Sequence, residues 1–249
     1  MSFPISGSIA LVTGANRGIG RALVEALVAR GASKVYAAAR NPETLDSLVA
    51  ASGGLVVPLR LDVRNLDEVH LAAAAAADTT ILINNAGVVS HMGEDFTDPA
   101  WLDASRQEHE VNVVGTLAVT QAFAPVLARN DGGAVVNIAS VASFAAFALI
   151  ASYSASKAAV HSLTQTTRQS LKAQGTYVAG VYPGPIDTDM ARDLPIAKTS
   201  PAAAAEAILD GIEAGEEEIF PDPASRQMGE AFLVSPKALE RTVAAGGLS

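Results

Sequence analysis

The sequence predicts one α/β domain built on a doubly wound parallel sheet. Two observations carry that reading. Short runs of continuous apolar and β-branched residues alternate with longer helical stretches along the whole chain. The runs lack the apolar/polar alternation of a half-exposed strand, so they read as strands covered on both faces by helices. No linker and no long-period repeat divides the 249 residues, and a chain of that length with 49% hydrophobic residues can bury one sizeable core.

The elements follow in order. "SIALVT" is the first strand, with a helix from about Gly18; "KVYAAA" is the second, with a helix after Pro42; "GLVVPLRL" is the third, followed by the helix that holds "LAAAAAA". "TILINNAG" leads into a long helix from about Trp101 to Arg129, "GAVVNIAS" into the helix carrying Tyr153, and "TYVAGVYPG" is the sixth strand. The Ala run from Ala72 to Ala77 reads as a small-residue helix face packed close to its neighbour. The acidic run "GEEEIF" near Glu217 reads as an exposed turn leading into a last strand. In sheets of this kind ligands lie at the carboxyl ends of the strands.

Composition excludes several classes. A formal net charge of -9 and no block of Lys and Arg argue against a nucleic-acid partner. There is no run of 18 or more apolar residues to suggest a membrane span, and the N-terminus has no basic region of a signal peptide. With no cysteine, disulfides, thiol nucleophiles and Cys-ligated metals are all out, which fits a cytoplasmic protein. His70, His91, His109 and His161 show no metal-ligand spacing, so no metal site is expected. Glu108 and Glu110 flank His109, and alternation on a helix points them in different directions, as on a solvated face.

The first strand ends in "TGANRGIG", which sets Gly14, Gly18 and Gly20 in the turn and the opening of the next helix. Glycines there let the backbone approach a pyrophosphate, and the free N–H groups of a helix N-terminus attract its charge. The spacing G-x-x-x-G-x-G is one residue longer in its first step than the usual dinucleotide fingerprint. Near the middle of the chain "YSASK" sets a phenol, Tyr153, and an amine, Lys157, one helical turn apart on one face.

These motifs together resemble the short-chain dehydrogenase/reductase family in its compact form of about 250 residues, from about residue 8 to about 220. "TGANRGIG" matches the family's cofactor turn, "NNAG" at Asn84 to Gly87 its fourth-strand motif, and "YSASK" its Tyr-x-x-x-Lys. Ser140 lies thirteen residues before Tyr153, where the family keeps a serine; Asn112 in "EVNVVG" matches the asparagine of the long fourth helix; "YPGPIDT" from Tyr182 matches the segment after the sixth strand. The resemblance implies a Rossmann-like fold with a cofactor half over about 8–140, a catalytic and substrate part over about 140–220 and a tail over 221–249. It implies Asn112, Ser140, Tyr153 and Lys157 as the catalytic set. Cofactor contacts would come from Gly14, Asn16, Arg17, Gly18, Ile19, Gly20, Asp62, Val63, Asn85, Ala86, Gly87, Pro183, Gly184, Ile186 and Thr188, with Tyr153 and Lys157 shared. Tyr153 would donate the proton, Lys157 would lower its pKa and bind the nicotinamide ribose, Ser140 would bind the substrate oxygen, and Asn112 would hold a relay water.

The second strand bears on which cofactor. NAD-binding sheets place an acid about twenty residues past the glycine turn, whereas an Arg accommodates the 2'-phosphate of NADP. Here "YAAARN" has Ala39 at that position and Arg40 next to it, with Arg17 in the turn, so the expected cofactor is NADP(H). The expected activity is interconversion of a carbonyl and an alcohol. Two alternatives stand beside it: a non-catalytic NADP-binding redox-sensing regulator, and an enzyme of the sugar-nucleotide epimerase/dehydratase kind.

The substrate is expected to be a small molecule with an apolar body. It would lie between the loop from Val88 to Phe96, the stretch "VASFAAFALIAS" and a lid, "DTDMARDLPIAKTS", containing Pro195. Phe144, Phe147, Leu149 and Ile150 would supply an apolar wall, with core or subunit packing as the competing explanation. The tail lacks the apolar strand and Asp-Gly-Gly ending of many tetrameric relatives, which counts against the usual homotetramer; the expected alternative is a homodimer through the long fourth and fifth helices.

Overall fold

The computed structural model describes residues 3–192 and 195–246. Asp193 and Leu194, part of the expected lid, lie outside the described residues. Seven parallel strands form one sheet in the order β3-β2-β1-β4-β5-β6-β7: β1 Ile9–Thr13, β2 Lys34–Ala39, β3 Val56–Arg60, β4 Ile81–Asn84, β5 Ala134–Ile138, β6 Tyr177–Val181 and β7 Glu218–Ile219. The helices are α1 Gly18–Ala29, α2 Asp46–Ala51, α3 Leu66–Ala75, α4 Ala100–Glu108, α5 Thr116–Arg129, α6 Ala151–Ser170, α7 Pro201–Ala214, α8 Pro223–Val234 and α9 Pro236–Ala244.

Why the strands lack polar alternation is visible in the packing. Successive strand side chains point to opposite faces. Ala10 and Val12 of β1, Ile81 and Ile83 of β4, and Ala134 and Val136 of β5 enter one buried cluster with α1 and α7. Leu11, Leu82 and Val135, the residues between them, enter a second cluster with α3 and α5. Of the Ala run only Ala72 and Ala76 are fully buried, in the second cluster, while Ala74, Ala75 and Ala77 face solvent. The packed face is therefore narrower than the run.

The sheet order reverses at β1, whose neighbours are β2 and β4. That switch point opens a crevice at the carboxyl ends of the strands. The expected long helix exists from Ala100 to Arg129, but its middle, His109–Gly115, is wound as a π-helix. Such bulges occur often at functional sites, and this one carries Asn112. By length and composition this helix could cross a membrane. In the fold Val119, Phe123 and Leu127 turn its inner face onto the sheet.

Inside the second layer a row of polar side chains crosses the sheet. Asn84 of β4 donates to Thr120 and to Asn137 of β5, and Asn137 donates to Thr164 of α6, each at 2.9 to 3.0 Å. Buried amides need such partners. The row fixes α5 and α6 against the sheet at one height, and with them the residues on their earlier turns.

Phe123 is fully buried in the second cluster. Phe123→Ala should lower stability by about 3 to 5 kcal/mol through lost burial and the cavity left behind. Urea unfolding of both proteins measures it, and a loss under about 1 kcal/mol would contradict the packing described.

Candidate active site

The turn after β1 has the conformation that its glycines allow. Gly14 and Gly18 have φ of 64° and 55°, in the left-handed region that other residues avoid. A Cβ on Gly20 would come within 2.4 Å of the Gly14 carbonyl, so this turn closes only with glycine there. α1 starts after Arg17 with no side chain capping its first turn, leaving N–H groups open to an anion. An open cavity of about 480 Å³ lies between Gly18, Arg21 and Thr188, Asp189, Arg192 of the lid segment. The turn is braced from β4: the Asn85 side chain donates to the carbonyls of Thr13 (2.9 Å) and Gly14 (3.1 Å). The N–H groups of Asn85 and Ala86 both donate to the Thr13 hydroxyl at 3.0 Å.

The other expected cofactor residues ring the same crevice. Arg40 directly follows β2 and is exposed, as is Arg17, which sits 3.5 Å from Asp189. Asp62 is held by Arg64 through two contacts of 3.0 and 2.6 Å. That hydrogen bond, with a smaller contribution from Arg40, keeps its carboxylate below the usual range. Val63 is buried against the position of Gly115. After β6, Pro183 accepts from the Val141 N–H (3.1 Å). Gly184 donates to the buried Asp222 carboxylate at 2.8 Å. Ile186 is buried and bridges to Thr199, tying the two ends of the lid segment together. Thr188 stands across from Gly18, where an added Cβ would lie 3.2 Å from its methyl. Asn16 is half-buried in the turn, and Ile19 packs partly into the first core cluster.

The four residues of the expected catalytic set converge at the ends of β4 and β5. Tyr153 and Lys157 lie on one face of α6 and are both buried, with the ammonium 5.6 Å from the phenol ring centre. Lys157 donates to the Ile138 carbonyl at 2.7 Å. Ser140 follows β5, accepting from the Ala142 N–H at 3.2 Å. Gly87 threads between them: a Cβ there would lie 3.4 Å from the Asn112 oxygen and 3.5 Å from the Lys157 ammonium. Asn112 accepts from the Val88 N–H (2.8 Å) and donates to the Val88 carbonyl (3.0 Å) and to Ser156 (2.9 Å).

Electrostatics in this pocket depart from the sequence expectation. Burial pushes the Tyr153 phenol up to about 12, eased by Ser140 and raised further by the charge of Glu108. Burial also brings the Lys157 ammonium down to about 8, because a charge removed from water is disfavoured. Desolvation therefore outweighs the expected pull of the ammonium on the phenol.

Other expectations change as well. Glu108 is fully buried rather than solvated, since the π segment and the loop after β4 close over it. Its carboxylate accepts from the Ser90 N–H at 2.6 Å. Phe144 is not free to line a substrate: it packs with Tyr182, Phe220 and Phe232 of the C-terminal region, at ring-centre distances of 4.6, 5.9 and 4.6 Å. Phe147 borders that cluster, and Leu149 remains partly exposed. Asp222, which both caps α8 and holds Gly184, escaped the sequence reading, although an Asp-Pro pair ahead of a helix is a cap signal.

A family profile described as short chain dehydrogenase matches residues 8–198. This chain belongs to the short-chain dehydrogenase family. Members share 33% identity with it over 197 residues in a 3-oxoacyl-[acyl-carrier-protein] reductase of Synechocystis sp., covering 76% of this chain and 78% of that one. An uncharacterised oxidoreductase of Staphylococcus aureus is 35% identical over 192 residues, covering 74% and 80%. A crystal structure of a short-chain dehydrogenase from Burkholderia cenocepacia in complex with NADP superposes with a TM-score of 0.89 at 39% identity, covering 97% of this chain and 99% of that one. The family assignment makes this short-chain dehydrogenase an oxidoreductase.

The buried lysine has a measurable signature. The unfolded chain keeps that proton up to about pH 10.5 and the folded one only to about 8, so between those values unfolding takes up a proton and stability rises with pH. The gain is on the order of 3 kcal/mol at most. Urea unfolding at about pH 7.5 and pH 10, with Lys157→Met as reference, should show wild type gaining roughly 2 to 3 kcal/mol on the variant. A difference independent of pH would contradict a deprotonation-prone buried ammonium.

Proposed function

We propose that this short-chain dehydrogenase is an NADP(H)-dependent reductase that interconverts a ketone or aldehyde with the corresponding alcohol. The observation that carries the reading is the convergence of Ser140, Tyr153, Lys157 and Asn112 beside a glycine turn with an uncapped helix start. The nicotinamide, when bound, supplies or accepts the hydride. The chain's own groups manage the proton and the charge that develops on the carbonyl oxygen. Burial keeps the Tyr153 phenol protonated, so its proton is present to pass to the carbonyl oxygen as negative charge builds there. Ser140, at the end of β5, supplies the second donor to the oxygen. Lys157, on the same face of α6, replenishes the phenol and binds the ribose, and Asn112 keeps Val88 and Ser156 in place behind it.

NADP over NAD is supported by Ala39 and Arg40 at the end of β2, by Arg17 in the turn, and by the NADP complex of the Burkholderia cenocepacia protein. The substrate we propose is a small molecule with an apolar body. Support comes from the exposed Met92 and Phe96 of the loop after β4, Leu149 before α6 and Met190 of the lid segment. The reductase reading is favoured over a non-catalytic NADP sensor because all four polar groups are buried together at a measurable cost, which a sensor has no need to carry.

Tyr153→Phe keeps the ring and removes the proton, so NADPH binding should stay within about twofold while turnover falls by about a hundredfold or more. A carbonyl panel followed by NADPH absorbance provides the assay, and near-wild-type turnover would remove Tyr153 from the mechanism. The cofactor reading has its own test. A charge-assisted hydrogen bond contributes about 1.5 to 3 kcal/mol, roughly ten- to hundredfold in affinity. Ala39→Asp with Arg40→Ala should therefore shift the kcat/KM ratio of NADPH to NADH by at least tenfold toward NADH, since the new carboxylate repels the 2'-phosphate. A wild type that already prefers NADH, or a ratio that does not move, would overturn it.

A further inference from the structure

Glu108 ends helix α4 one turn before Asn112, and its side chain is 0% exposed. A carboxylate removed from water is costly unless its oxygens find donors. Oε1 accepts the Ser90 N–H at 2.6 Å, while Oε2 has no hydrogen-bond partner. Asn112, on the next turn, grips Val88 of the same loop by both its N–H and its carbonyl. The two side chains thus hold alternate residues of one stretch, Val88 and Ser90, directly before Met92 and Phe96.

Helix α6 runs alongside in a fixed register. Asn112 donates to Ser156, an offset of 44 residues. The buried row that ends on Thr120 and Thr164 has the same offset. Carried back four residues to α4, which packs against α6, the same offset pairs Glu108 with Ser152. The Ser152 hydroxyl is buried too and also lacks a hydrogen-bond partner. The two are not bonded to each other in the structure, and an unpaired buried acceptor and donor on packed helices can satisfy each other through one bridging water. Ser152 immediately precedes Tyr153, and the charge of Glu108 reaches that phenol.

We propose that Glu108 is a positioning residue that fastens Ser90 of the substrate loop to the start of α6 through Ser152, setting the wall of the site at a fixed distance from Tyr153. The inference rests on the reading of Tyr153 as acid and of the loop after β4 as substrate wall. An apolar side chain of similar shape would fill the same space without the desolvation cost, and what it would lose is the acceptor that holds the Ser90 N–H.

The test combines amide hydrogen exchange on the free protein with kinetics on the carbonyl that the panel identifies. In Glu108→Met the Ser90 amide should exchange at least about tenfold faster while Val88, still held by Asn112, is unchanged. KM for the carbonyl should rise at least about fivefold, with NADPH affinity within about twofold and no fall in Tm. Glu108→Gln retains an acceptor for Ser90 and should restore both its protection and KM to within about twofold of wild type. Ser152→Ala should raise KM at least about twofold, and adding it to Glu108→Met should cause no further loss. Unchanged Ser90 exchange in Glu108→Met, or a Tm that falls while KM stays put, overturns the proposal. If that variant does not fold, unchanged KM in Ser152→Ala overturns it instead. Retained turnover in Tyr153→Phe would sink the site reading alone, since the exchange result does not depend on it.

Discussion

The close approach of the turn after β1 to the end of β4 is the constraint on which the rest of the structure depends. Thr13, Gly14, Asn85 and Ala86 meet there through four hydrogen bonds, and Gly20 has no room for a side chain. Because the turn is pinned to β4, the start of α1 and the Asn85–Gly87 backbone face the same crevice. Gly87 in turn passes so near Asn112 and Lys157 that the two halves of the site share one boundary. A sheet whose strand order reverses at β1 makes this meeting possible, since only at the reversal do two neighbouring strands send their crossovers to opposite sides.

The second theme is the amount of polarity buried in the layer between the sheet and helices α5 and α6. Asn84, Asn112, Asn137, Ser140, Ser156, Lys157 and Thr164 are all below a tenth exposed. Most answer one another across helices in a constant register, so the network specifies the height of α6 against the sheet as well as satisfying its own members. Tyr153 and Lys157 inherit their position from that register. Their altered proton affinities inherit the same burial. The π-helix at His109–Gly115 belongs to this arrangement: it presents Asn112 to the loop after β4, just after Glu108 at the end of α4 has taken hold of the same loop.

The strand order of events along the chain was legible because period and composition act locally. Runs such as "KVYAAA" and "GAVVNIAS" became β2 and β5, and the glycines of "TGANRGIG" adopted the positive φ that their position demanded. The motifs carry the residues of the expected site in order, and the structure brings Asn112, Ser140, Tyr153 and Lys157 to the ends of β4 and β5. Less legible were groups whose role comes from distant partners. Phe144 looked like a wall residue in "VASFAAFALIAS", yet the aromatic side chains it packs on, Phe220 and Phe232, lie some eighty residues away. Glu108 looked solvated beside Glu110, because helical spacing alone does not say what covers a helix.

By itself, then, the sequence determined the alternation of strands and helices, the glycine turn, the Tyr-Lys pair and the Ala39–Arg40 strand end. All of these rest on neighbours within a few residues or on motifs of fixed spacing. The tertiary structure alone decided what is buried and against whom: the rise of the Tyr153 phenol, the fall of the Lys157 ammonium, the capture of Glu108 by Ser90, and the docking of α8 and α9 over Phe144. Burial and proton affinity depend on the solvent a group loses and the partners it gains. Those are properties of the packed chain, so no local stretch of residues encodes them.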